Sequence, residues 1–101
     1  WVIGLEYRTS SDQLKKIKNE IENYIKNSEL FSVTGDTFLS VKIEQFAASS
    51  IDIRLICFTK TKYYLEWMGV KDTLALEIKT IVENNKASFA FPSTSIYVEK
   101  N

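Results

Sequence analysis

The sequence predicts an α+β fold: a ferredoxin-like βαββαβ sandwich, with two helices on one face of a four-stranded antiparallel sheet. Three observations predict it. Apolar residues alternate at period two in three stretches, and a short β-type run follows near the end. Between the strands lie two segments with apolar residues at helical spacing. The two middle strands are joined by a link so short that only a hairpin fits it.

The first strand covers Trp1–Tyr7, where Trp1, Ile3, Leu5 and Tyr7 alternate with Val2, Gly4 and Glu6. Gly4 weakens it and marks a possible bulge or close backbone approach. Ser10 followed by Gln13 is a capping box, and Asp12 suits the positive end of the helix it opens. Leu14, Ile17, Ile21, Tyr24 and Ile25 form that helix's apolar stripe, with Glu22 and Lys26 paired on the solvent side.

Asn27 to Asp36 reads as a loop carrying a small apolar piece, Leu30-Phe31. The second strand, Thr37–Ala47, places Leu39, Val41 and Ile43 on one side and Ser40, Lys42 and Glu44 on the other. After Ala48-Ser49-Ser50, the third strand runs to Lys60. Ile51, Ile53, Leu55 and Cys57 oppose Asp52, Arg54, Ile56 and Phe58. Thr61 is the expected N-cap of the second helix. Its expected stripe is Tyr64 or Leu65, Met68, Leu74 or Ala75, Ile78, Ile81 and Val82. Gly69 within it costs about 1 kcal/mol against alanine and leaves room for a kink or close packing. Asn84-Asn85-Lys86 ends the helix, with asparagine expected in the left-handed position. Pro92 then stiffens an extended approach to the last strand, Ile96-Tyr97-Val98.

A chain of 101 residues is one domain, residues 1–101, and its strand-like opening at Trp1 reads as a domain excised from a longer protein. Lys+Arg and Asp+Glu are 13 each, for a net charge of zero, which argues against nucleic acid as a partner. Histidine is absent, which removes the commonest general base and metal ligand. No run of about 20 apolar residues, the length a bilayer span needs, occurs.

No catalytic residue, metal site or cofactor is expected. Cys57 has no histidine to activate it and alternates inward, as a buried apolar thiol does. Gly4, Gly35 and Gly69 are isolated, so no phosphate loop exists. Asp52 and Glu44 share their surface with Lys42 and Arg54, which makes a salt-linked sheet face.

The outer sheet face is the surface of interest. Ile56, Phe58 and Tyr97 would stand on it as an apolar patch, which is the mark of a protein contact. An RNA-stacking sheet would need a glycine-bearing third strand, and Asp52 to Phe58 has none.

In order along the chain, three stretches resemble the C-terminal cytoplasmic α/β domain of the small-conductance mechanosensitive channel family, MscS. They are Leu5-Glu6-Tyr7-Arg8-Thr9-Ser10-Ser11-Asp12-Gln13-Leu14, Ser49-Ser50-Ile51-Asp52-Ile53-Arg54-Leu55, and Phe89-Ala90-Phe91-Pro92-Ser93-Thr94-Ser95-Ile96-Tyr97-Val98. The chain departs from many relatives in having Asn85-Lys86 where they carry a glycine, and Ala90 where they carry a second proline. The resemblance implies a non-catalytic part of a membrane channel that responds to osmotic stress. Such domains build a cytoplasmic vestibule with side portals in a homoheptamer, beneath an upstream membrane domain. Ile56, Phe58, Phe91, Pro92 and Tyr97 are the expected subunit contacts. The alternative reading is a ferredoxin-like small-molecule-sensing regulatory module with a polar pocket at a subunit interface.

Overall fold

A computed structural model describes residues 1–32 and 39–90. Among them the elements run β1 (Val2–Leu5), α1 (Ser11–Asn27), β2 (Phe31–Ser32), β3 (Ser40–Phe46), β4 (Ile51–Ile56), β5 (Phe58–Thr59) and α2 (Tyr64–Asn84). β1, β4 and β3 form one antiparallel sheet in that order, and β2 pairs with β5 in a separate two-stranded ribbon. The α+β class and the two helices are as expected. Among the described residues the expected four-stranded sheet shows three strands, with β2 and β5 set apart as a ribbon. The last strand expected at Ile96-Tyr97-Val98 lies outside the described residues.

β4 is the middle strand. Val2 to Leu5 pair with Arg54 to Ile51, and Ser40 to Phe46 pair with Ile56 to Ile51, with an irregularity between Ile43 and Gln45. The β1 register is unbroken, so Gly4 marks no bulge. On the far side of β1, Phe89 makes an antiparallel bridge to Leu5. Glu6 N–H donates to Ser88 O at 3.1 Å and Ala90 N–H to Gly4 O at 2.9 Å.

The strand expected over Ser50–Lys60 breaks at Cys57. Its continuation, Phe58-Thr59, turns to pair with Ser32 and Phe31. Backbone groups must find partners wherever they are shielded from water, and β2 supplies them here. Phe31, expected in a loop, is thereby anchored in the core.

Alternation puts Ile3, Leu5, Val41, Ile51, Ile53 and Leu55 on one face. They form a single apolar cluster with Ile17, Ile21 and Ile25 of α1 and Leu74, Ile78 and Val82 of α2. Fully burying one such side chain contributes about 1.5–3 kcal/mol.

The capping box of α1 is present. Ser10 Oγ accepts from Gln13 N–H at 3.1 Å, and Gln13 Oε1 accepts from Ser10 N–H at 2.7 Å. The same Gln13 side chain donates through Nε2 to Asn85 O at 2.8 Å, joining the start of α1 to the end of α2. Asn85 Nδ2 donates to Glu20 Oε2 at 3.0 Å, a second tie between the helices. Lys26 and Glu22 sit 3.8 Å apart as the sequence predicts.

α2 differs at both ends. Its N-cap is Tyr63, without a side-chain cap, while Thr61 Oγ1 accepts from Tyr63 N–H just before the helix. At the other end the left-handed residue is Lys86, at φ 59°, and not an asparagine. Lys86 N–H donates to Glu83 O and Ala87 N–H to Val82 O, which satisfies the terminal carbonyls in the Schellman pattern.

The apolar stripe of α2 begins only at Val70. Leu65 is 82% exposed and Met68 44%, so the expected first two turns of the stripe are corrected. A Cβ at Gly69 would meet nothing within 4 Å, so this glycine serves neither a kink nor a close approach. Gly69→Ala is therefore expected to raise stability by about 0.5–1 kcal/mol. Ile53→Ala, in the middle of the core, is expected to lower it by about 2–5 kcal/mol. Urea unfolding followed by circular dichroism measures both, and a destabilised Gly69→Ala would contradict the open space around it.

Candidate interaction surface

The solvent face of the sheet is polar at its centre. Lys42 stands directly opposite Arg54 in the register. That like-charge pairing is relieved by Glu44, whose carboxylate accepts from Arg54 Nε and raises the guanidinium's pKa. Asp52 accepts from Ser50 Oγ at 2.6 Å and Gln45 Nε2 at 3.1 Å. These two bonds, Ser50's first, hold its carboxyl below the usual value. The face is salt-linked, as expected. Among the described residues no group of histidine, cysteine, aspartate or glutamate is placed to hold a metal ion.

Ile56 and Phe58 follow at the C-terminal end of β4, where the apolar part of the surface begins. Ile56 is half-buried and Phe58 43% exposed. Both line an open cleft of about 370 Å³ between this corner of the sheet and α2. Phe91, Pro92 and Tyr97 lie outside the described residues, so their expected neighbourhood with Ile56 and Phe58 stays a proposal.

Cys57 lines the same cleft. It packs against the core from one side and is half-buried, less enclosed than a core thiol. Burial pushes its pKa up.

The other wall comes from α2 and was not read from the sequence. Trp67 and Trp1 flank Lys71, whose Nζ lies 5.0 Å from the Trp67 ring centre and 5.5 Å from that of Trp1. These are cation–π distances. Tyr64 stacks obliquely on Trp67 at 6.0 Å. With Tyr63 and Leu65 exposed alongside, the first two turns of α2 are the largest apolar addition to this surface. The signal was present in the run Tyr63-Tyr64-Leu65-Glu66-Trp67-Met68. So many neighbouring apolar residues exceed what one 100°-wide helical stripe can bury, so part of the run must face outward.

No helix among the described residues is long and apolar enough to cross a membrane. A family model described as "Mechanosensitive ion channel MscS, C-terminal" matches residues 1–89. The chain belongs to the MscS family. It is 40% identical, over 96% of its length, to an uncharacterized MscS family protein of Helicobacter pylori strain ATCC 700392 / 26695, covering 20% of that protein. Another MscS family protein, from Aquifex aeolicus, is 37% identical over 97% of the chain and 26% of its own length. The low conductance mechanosensitive channel YnaI of Escherichia coli K12 is 34% identical over 96% of the chain and 27% of its own length. The chain thus spans about a fifth to a quarter of the MscS proteins it matches, and corresponds to their C-terminal domain.

The raised thiol pKa and partial burial of Cys57 set its reactivity. Alkylation by iodoacetamide at pH 7.5 is expected to be several-fold slower in the folded chain than in urea, because the thiolate is the nucleophile. The folded rate should keep rising at pH values where an exposed cysteine has levelled off. Equal rates in the two states would refute the placement of the thiol.

Proposed function

We propose that this chain is the cytoplasmic vestibule and assembly domain of a mechanosensitive ion channel. It works without catalysis, as a homoheptamer, below an upstream membrane domain of the same protein at the inner membrane. Side portals between the domains filter the solutes that reach the pore. The family match over residues 1–89 carries this reading. Two features of the surface support it: a neutral, salt-linked sheet face without reactive groups, and an apolar corner at Ile56 and Phe58. In the assembled channel this corner, together with Phe91, Pro92 and Tyr97, forms the contact with the neighbouring subunit.

Burying a carboxylate in such a contact without a partner costs several kcal/mol. Phe58→Asp in the whole channel is expected to shift the purified protein from the heptamer to smaller species on size-exclusion chromatography with light scattering. Cells relying on it should lose protection against hypo-osmotic shock. The isolated domain is expected to be monomeric, since avidity from the membrane part is missing. A Phe58→Asp channel that assembles normally would rule out this contact.

A further inference from the structure

The cleft between the corner of the sheet and α2 has a composition that the assembly role does not use. Its floor is apolar, formed by Leu55 and Leu74, and its walls are Trp1 and Trp67. Lys71 is the single ionised side chain among the described residues that line it, and no carboxylate does. The described contacts of its ammonium group are the two indoles, with no acidic partner. A pocket of about 370 Å³ falls in the range of small-molecule sites, in which apolar walls bind and one polar group orients.

We infer that this cleft binds a small amphipathic anion, with its apolar chain against Trp1 and Trp67 and its carboxylate on Lys71 Nζ. Charge complementarity selects the head group: Lys71 is the one side-chain cation on the described lining and no carboxylate is there, while the Trp1 α-ammonium is engaged by Leu55 O at 3.0 Å. The indoles on either side of Lys71 hold its ammonium group at the cleft, where a carboxylate would make a charge-assisted contact with it. The inference stands apart from the vestibule reading, since it concerns the interior of the cleft within one domain and does not require assembly.

Both tryptophans of the chain line the cleft, so intrinsic fluorescence reports on it directly. The probe is octanoate below its micelle concentration, titrated into the folded 101-residue chain. A saturable change in tryptophan emission is expected. Lys71→Met should weaken octanoate by about tenfold or more, the size of a lost charge-assisted contact, while Lys71→Arg retains it. Octanol should bind the parent and Lys71→Met alike, and octylammonium should bind more weakly than octanoate. Octanoate should also protect Cys57 from alkylation in proportion to occupancy. The inference is overturned by a non-saturable emission change, by equal octanoate affinity in Lys71→Met, or by octylammonium binding as well as octanoate. It is overturned too if octanoate stabilises the isolated chain but not the assembled channel, because a protein segment then fills the cleft. Because Phe58 also lines the cleft, Lys71→Met separates the two readings: a Lys71→Met channel that assembles normally but binds octanoate weakly leaves the vestibule reading standing.

Discussion

β4 is hydrogen-bonded along both edges, to β1 on one side and β3 on the other, and buries Ile51, Ile53 and Leu55 beneath both helices. Period-two alternation then leaves the intervening residues no choice of face. Asp52 and Arg54 must stand in solvent, where Glu44, Gln45 and Ser50 engage them. A slip of one residue would put those charges under α1 and α2 and turn the isoleucines out to water, so the register is strongly specified. The helices are fixed to the same strand by their stripes and to each other by Gln13 and Asn85. Buried side-chain polar atoms among the described residues all have partners, so this polar seam adds no desolvation penalty.

The two ends of β4 have different characters. Near Ile51 and Asp52 the outer surface is polar and hydrogen-bonded locally. Beyond Leu55 it becomes aromatic and aliphatic, and α2 adds to it with residues that the core does not take up. A domain of this size has limited interior volume, so apolar residues in excess of the core must lie on the surface. Several, Phe58, Trp67 and Trp1 among them, meet at the cleft, while others such as Phe46 and Tyr7 are exposed at the opposite end of β4.

Much of this was legible in the sequence because the signals were local. The capping box at Ser10 and Gln13, the α1 stripe and the alternation of Ile51, Ile53 and Leu55 each rest on residues a few positions apart. The salt-linked face followed from Lys42 and Arg54 sharing a surface with Glu44. What escaped notice depends on distant partners. The break at Cys57 arises because Phe58-Thr59 finds Phe31-Ser32, some 27 residues away in the chain. Likewise, Thr61 has the chemistry of an N-cap, but the ribbon it follows delays the helix to Tyr64. The choice between Tyr64, Leu65 and Val70 for the core side of α2 turns on where the sheet ends, which periodicity does not encode. The expected contacts at Phe91, Pro92 and Tyr97, drawn from the apolar patch and the family likeness, lie outside the described residues.

Residues 88–90 lie antiparallel to β1 on the edge away from β4, so at Ala90 the backbone heads toward the end at which β1 begins. Mechanically, this is the geometry of a zipper. Tension between the two strands at that end would load their hydrogen bonds one at a time, beginning with Ala90 N–H to Gly4 O and passing next to Glu6 N–H to Ser88 O. Phe89, which bridges Leu5 between the two bonds and packs against the hydrophobic cluster, would share that load. Among the described residues, then, two backbone bonds and one aromatic side chain tie the segment after α2 to the edge of β1.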